Sequence, residues 1–378
     1  MAGPGLAEVL ARFGPHYLAD HALSRAQAKA WRAIAACRTA ALGGQVERCV
    51  CCGAMRHVYH SCRNRHCPQC QSRAKDVWIA ARRRELLPVP YFHLVFTLPH
   101  ALHGLTARHP RLIYETLFAA AANSLTEFAA DARHLGGQAA FSLVLHTWRQ
   151  DLARHVHVHA LVAGGALTAD GRWVAPRRGF LFPVKALSRV FRGKFVARLA
   201  GQPHGLDEQA WRQLRERLYA HDWVVYAKQP LGGPEQVLDY LARYTHRVAI
   251  SNERIVAITE REVRLRVRAK ERGGKCPVVR LSGTEFIGRF LTHVLPPGFK
   301  RIRHYGLLAP AHKQARLAAA RVALDAPQPN PRVLETVADF LKRIDRLESM
   351  RCPYCGGHMV ISGTLAPIRP GQQARGPP

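Results

Sequence analysis

Acidic residues are scarce in this chain: 26 Asp and Glu stand against 56 Lys and Arg in 378 residues, a formal charge of +30 at pH 7. The shortage leaves no obvious triad of catalytic carboxylates, and the basic excess is spread along the chain. Such a field favours a polyanionic partner, which for a soluble protein is most often nucleic acid. Also missing is any run of eighteen apolar residues, and the opening MAGPGLAEVLARFG has neither the charged start nor the apolar stretch of a secretory signal. The sequence therefore predicts a cytoplasmic protein with no membrane span. HExxH and GxxxxGK[ST] are absent too, which argues against a zinc peptidase or a P-loop ATPase. What remains is a chain that is 48% hydrophobic, long enough for two or three packed units with a real core.

Its ten cysteines are grouped. In a reducing compartment a disulfide framework is not expected, so the groups are read as metal ligands first. Cys49, Cys51, Cys52, Cys62, Cys67 and Cys70 lie close together, and Cys49 with Cys52 and Cys67 with Cys70 make two CxxC knuckles. Two such knuckles close a tetrahedral thiolate site for structural Zn2+, with Cys62 as an alternate ligand and Cys51 and His66 as spares. Arg63 and Arg65, between the ligands, would offer cations to a DNA backbone. The C-terminal CPYCGGH supplies Cys352, Cys355 and His358, half a site whose partner is not evident from sequence.

The second chemical signal is RHVHVHALVAGG, Arg154 to Gly165. Side chains alternate across a strand, so Val156, Val158, Ala160 and Val162 face a core while His155, His157 and His159 share the opposite face. Histidines two apart are separated by ~6.6 Å along the backbone, close enough for two imidazoles to converge on one ion. A helical pattern then begins at Pro234 and runs to about Thr245. It carries Tyr240 and Tyr244 one turn apart, with Arg243, His246 and Arg247 beside them to grip phosphates or lower a phenol's pKa. Val237, Leu241, Tyr244 and Val248 also form a plausible core stripe, with Tyr240 at its edge.

Strands separated by helices, with at least one hairpin, predict an α+β fold with small metal and helical units beside the sheet. Residues 6–43 read as a helical segment, 44–87 as the zinc-binding module and 88–310 as the domain with the histidine strand and the tyrosines. A helical segment over 311–350 precedes a CxxC motif and a tail, 351–378, expected to be disordered from Gly363 onward.

Taken together, SCRNRHCPQCQ, YFHLVFTLP, LHTWRQDL, HVHVHALVAGG, FLFPVKALSRVFRGKF, YLARYTHRVAISNERI and LPPGFKRIRHYGLLA resemble the two-tyrosine transposases of the insertion sequence ninety-one type, within the HUH endonuclease superfamily. The chain departs from that pattern at Asp151, where Asn is expected, and at Ala166, where a third glycine is expected. The resemblance implies an HUH-endonuclease-like central antiparallel sheet with flanking helices, behind an N-terminal helical and zinc-binding module. It implies His157 and His159 as metal ligands, Tyr240 and Tyr244 as nucleophiles, and a divalent ion, Mg2+ or Mn2+. It also implies rolling-circle-like transposition, in which single-stranded DNA at the element's ends is cut through a 5′-phosphotyrosine. For the third metal ligand the reading leans to His155 or His93, with His146 and Gln150 on segments that could adjoin. A replication initiator or relaxase, and a non-enzymatic zinc-containing DNA-binding regulator, are the alternatives.

Overall fold

The computed structural model describes residues 4–70, 78–79, 81–177, 180–231, 236–237, 249–268, 274, 276–329, 336, 339, 342 and 350–368. Among them, no helix is long and apolar enough to cross a membrane. Strands are numbered in chain order: β1 Gly44–Cys49, β2 Met55–Tyr59, β3 Tyr91–Thr97, β4 Gln138–Trp148, β5 Arg154–Leu167, β6 Trp173–Val174, β7 Val225–Leu231, β8 Ile255–Ile258, β9 Glu262–Arg266, β10 Val278–Ser282, β11 Ile302–Gly306 and β12 Met359–Leu365.

The central sheet has the order β11-β4-β5-β3-β7, antiparallel throughout, with β6 paired to the end of β5. Its middle strand is the histidine strand, and the alternation predicted from sequence holds. Val156, Val158, Ala160 and Val162 are buried with Phe92, Leu94 and Phe96 of β3 against the helices Pro110–Ala130 and Val184–Ala200. Complete burial of an aliphatic or aromatic side chain is worth about 1.5–3 kcal/mol, so this layer dominates the stability of the sheet. The helix Pro110–Ala130 forms because proline suits its first turn and Ile113, Leu117, Ala121 and Leu125 repeat at helical spacing. It is tied to β11 by a bidentate pair, Arg303 Nη1 and Nη2 on the Glu115 carboxylate at 2.6 and 2.8 Å.

The glycines that close the histidine strand make room. Gly165 has φ +140°, and a Cβ there would sit 2.3 Å from the Trp173 indole nitrogen. The strand can therefore carry β6 across it only if residue 165 has no side chain.

The predicted N-terminal helix is two helices, Leu6–Asp20 and Arg25–Ala35. The second starts at Ser24, whose hydroxyl accepts from Gln27 N–H while the Gln27 side chain accepts from Ser24 N–H, a capping box that ends the first helix's run. Both pack with the helix Gly283–Leu291 and the β8–β9–β10 sheet, in a core that includes Leu6, Phe13, Ile34, Val263, Phe286 and Phe290.

The expectation of a disordered tail from Gly363 is corrected for residues 363–365, while 369–378 lie outside the described residues. Gly363, Thr364 and Leu365 pair with Val46, Gln45 and Gly44, so β12 forms the edge of a third sheet, β12-β1-β2. Of the predicted helical segment over 311–350, Lys313–Ala323 is a helix and most of 330–349 falls outside the described residues.

Candidate active site and metal centres

Opposite the helical layer, the sheet presents a patch of histidines. β4 and β5 pair so that His146 lies directly across from His157, and His157 and His159 project two residues apart on that face. His157 Nε2 lies 3.1 Å from His159 Nε2, which lies 3.1 Å from His146 Nδ1. All three rings are buried, and their nitrogens fall within 4.8 Å of one another. The Nδ1–H of His157 donates to the His155 carbonyl at 2.9 Å, which fixes the tautomer and leaves the Nε2 lone pair pointing into the cluster. On its other side, His159 Nδ1 lies 2.9 Å from His93 Nε2.

Burial holds the imidazoles of His157 and His159 neutral. It pushes His157 down to about 4, the neighbouring His155 adding to the drop. His159 is driven well below its ordinary value by burial and by the surrounding His146, His157, His93 and His155. Neutral imidazole is the form that binds metal. Nitrogens about 3.0 Å apart are what adjacent positions around an ion with ~2.1 Å bonds require, so the donor set fits a small divalent cation.

The structure brings His146, rather than the expected His155, into the converging group. His155 continues the row on β5, with its ring 4.8 Å from that of His157, but it is not in the converging group. Residues directly opposite on adjacent strands approach to about 4.5–5.5 Å, whereas His155 stands four residues, ~13 Å, along the strand from His159. His146 therefore reaches the centre and His155 stays at its edge. His93, the other favoured candidate, contacts the far nitrogen of His159 and orients that ring from behind.

Tyr240, Tyr244, Arg243 and Arg247 lie outside the described residues. Just before them, Val237 is fully buried in a cluster with Tyr91, Leu161 and Ala163. Leu161 follows His159 on the same face of β5, so Val237 is seated on the histidine side of the sheet.

The cysteines do not form the single tetrad of Cys49, Cys52, Cys67 and Cys70 expected from spacing. They divide into two groups, Cys37, Cys62, Cys67 and Cys70, and Cys49, Cys52, Cys352 and Cys355. The reason is packing. Cys37 follows the helix Arg25–Ala35 and is buried with Cys67 in the N-terminal core, while Cys49 is buried with Cys352 and Met359 where β12 joins β1. In the first group the Cys70 sulfur lies 3.4 Å from that of Cys37 and 3.6 Å from that of Cys62. A disulfide would need about 2.05 Å, and a tetrahedral zinc with ~2.3 Å bonds sets its sulfurs about 3.8 Å apart, so the spacing fits zinc. Sequence gave no signal for Cys37, a lone cysteine 25 residues before its nearest partner, Cys62.

Of the basic residues flagged for DNA, Arg63 is exposed and Arg65 is not available. Arg65 donates to the carbonyls of Phe299 at 2.5 Å and Pro296 at 3.2 Å, and its neighbour His66 accepts from Leu295 N–H. Both side chains therefore dock the cysteine module onto the loop before β11. Beside the β4–β5 turn, a cleft of about 670 Å³ is lined by Tyr17, His21, His103, Arg154 and Arg289 among others.

A family model described as "Transposase zinc-binding domain" matches residues 9–98, and another, described as "Putative transposase", matches residues 140–316. A protein of Sinorhizobium fredii (strain NBRC 101917 / NGR234) named "Putative transposase y4qJ" is 44% identical over 378 residues, covering 96% of this chain and 95% of that protein. The chain belongs to the IS91-type transposases. A second relative, the transposase for insertion sequence element IS801 of Pseudomonas savastanoi pv. phaseolicola, is 28% identical over 366 residues, 93% of this chain and 87% of that protein. A solved structure of the conjugative relaxase TrwC with oriT DNA matches at 15% identity and a TM-score of 0.22, over 41% of this chain and 71% of that one. IS91-type transposases are rolling-circle HUH enzymes, and in this chain the segment His155 to His159 lies on the central strand.

Proposed function

We propose that this transposase cleaves and rejoins single-stranded DNA at the ends of its element, with Tyr240 and Tyr244 as nucleophiles and His146, His157 and His159 as ligands of a catalytic Mg2+ or Mn2+. The observation that carries the reading is the convergence of three buried imidazoles on the sheet face where Val237 is seated, three residues before Tyr240. An ion bound there supplies Lewis-acid polarisation of the scissile phosphate and stabilises charge that develops on its oxygens.

The chain's own groups do the rest. A tyrosine phenol loses its proton and its oxygen bonds to phosphorus, while the bond from phosphorus to the 3′ oxygen breaks. A 5′-phosphotyrosine and a free 3′ hydroxyl result. The bond energy is kept, so a second 3′ hydroxyl can reverse the step on a new strand without a nucleoside triphosphate. Arg243 and Arg247, within one turn of Tyr244 in sequence, favour phenolate and grip the phosphate. Two phenols four residues apart in sequence would hold two ends in succession. Arg63, exposed between the cysteine ligands, would take the flanking backbone. In this reading 44–87 serves as a zinc module, supporting a catalytic unit over 88–310, and the protein works in the cytoplasm, where its DNA is.

The test is a covalent adduct. Incubation with a labelled single-stranded terminus and Mn2+ should give a denaturation-resistant product, reduced in Tyr240→Phe or Tyr244→Phe and absent in the double variant. An adduct of wild-type yield in the double variant refutes the assignment, and binding without cleavage under any divalent ion supports the regulator instead.

A further inference from the structure

The second cysteine group is a different kind of site. Cys49 ends β1 and Cys52 lies in the turn to β2, while Cys352 and Cys355 lie just before β12, three hundred residues away. The two segments share one backbone design. Cys49 N–H donates to the Ala54 carbonyl at 2.9 Å and Gly53 N–H to the Cys49 carbonyl at 3.1 Å. At the same offsets, Cys352 N–H donates to the Gly357 carbonyl at 2.8 Å and Gly356 N–H to the Cys352 carbonyl at 2.9 Å. Gly53 and Gly356 take the same left-handed conformation, φ +72° and +73°. Each is the tight turn that brings two cysteines of a CxxC onto one side.

The turns face each other. Val50 N–H donates to the His358 carbonyl at 3.0 Å, and Cys49 pairs with Met359 in the β1–β12 ladder. Between them the sulfurs of Cys49 and Cys355 are 3.5 Å apart, as are those of Cys52 and Cys352, and all four lie within 4.8 Å. A Cβ added at Gly357 would fall 2.7 Å from the Cys51 sulfur and 3.1 Å from that of Cys49, so the backbone is packed tightly against the sulfurs. The zinc-binding family model ends at residue 98 and assigns nothing to the C-terminal pair.

We propose that Cys49, Cys52, Cys352 and Cys355 bind a second zinc ion, and that β12-β1-β2 is a zinc ribbon assembled from the two ends of the chain. Four thiolates around a tetrahedral centre with no room for a further ligand make a closed structural site, and the hard catalytic ion of the histidine centre has no affinity for such a set. The ion joins segments that the sequence separates by 300 positions, where few apolar side chains are available to do it: Cys49, Cys352 and Met359 are the buried members of their cluster. Its work is to hold the C-terminal strand on the zinc module, closing the chain around the catalytic unit.

Wild-type protein tests this directly, because Cys52 and Cys355 are exposed to solvent, as are Cys51 and Cys276. Exposed free thiols alkylate readily, and zinc-bound thiolates do not. With iodoacetamide under native, reducing conditions, Cys51 and Cys276 should react at least tenfold faster than Cys52 and Cys355, and a chelator should erase the difference. Total zinc should be two per chain, falling to one in a Cys352→Ser, Cys355→Ser variant, with hydrogen exchange across 359–365 rising at least tenfold. Cys51→Ser should keep both ions. Alkylation of Cys52 and Cys355 at the rate of Cys276, or a single zinc in the wild type, overturns the proposal. Neither result bears on the phosphotyrosine assay, which reads the other end of the molecule's chemistry.

Discussion

His293 offers the sharpest quantitative test of how the histidine centre is held. It is fully buried between the turn that joins β4 to β5 and the end of the helix Gly283–Leu291. Its Nε2–H donates to the Leu152 carbonyl at 2.9 Å, so its Nδ1 must accept from the Thr147 hydroxyl at 3.1 Å. Leu152 itself has φ +62°, a conformation that costs a non-glycine residue about 1–2 kcal/mol and persists only when neighbours hold it. Arg289 helps by donating to the Asp151 carbonyl at 2.8 Å, and Arg254 by donating to that of Gln150. This turn sets the register that puts His146 opposite His157.

Burial pushes His293 from 6.5 down to about 4, with the Leu152 hydrogen bond opposing the shift and Arg154 adding to it. Between those values the unfolded chain binds a proton that the native one refuses, so stability is complete above pH 6.5 and falls as acid is added towards pH 4. The slope is about 1.4 kcal/mol per pH unit, for a total of roughly 3 kcal/mol. His293→Gln keeps a donor and an acceptor and cannot ionise. Urea unfolding of both proteins at pH 7 and pH 4.5 should therefore show the wild type losing about 2–3 kcal/mol more than the variant. Protonation of other groups, the cysteine thiolates included, is common to both and cancels in the difference. Parallel stability curves across that range would refute the burial argument.

Two further outcomes follow from the same geometry. Mn2+ binding by calorimetry should weaken more than tenfold in His146→Ala and change less than threefold in His155→Ala, since loss of even an outer-shell partner costs ~10–100-fold in metal affinity; the reverse order would restore the row on β5 as the ligand set. Cys37→Ser should remove one zinc per chain, measured by elemental analysis, whereas a tetrad of Cys49, Cys52, Cys67 and Cys70 would leave the metal content untouched by that change.

What the sequence makes legible here is what depends on near neighbours. The alternation of β5 is a period of two, and it placed the valines in the core and the histidines opposite before any partner strand was known. The helix at Pro110 and the helix after Asp207, whose carboxylate accepts from Ala210 N–H at 2.7 Å, are announced by their first residues. Ser24 and Gln27 announced a break in the N-terminal segment as well, but the apolar spacing on either side reads as continuous. Illegible features depend on partners remote in sequence. β11 is five residues long and half-buried, and it is a strand because β4 offers it an edge. Gly363 belongs to a tail by composition and to a sheet by virtue of Val46. The same limit decided the ligands, since His146 becomes the third imidazole only once the β4–β5 register is fixed.

The two cysteine centres differ in what lies beneath them, and that difference orders their roles. Cys37, Cys67, Leu152 and the N-terminal helices share one buried core, against which Trp148 packs; the Trp148 ring also stacks on His146 at 4.6 Å. A disturbance at that centre reaches the β4–β5 turn through packed side chains, and from there the imidazole cluster. Cys49, Cys352 and Met359 form a separate cluster with no member in common with the sheet that carries the histidines. Losing the first zinc should therefore weaken Mn2+ binding at His146, His157 and His159, while losing the ribbon zinc should free β12 and leave that affinity unchanged. The first centre is part of the support of the active site, and the second is a closure of the chain.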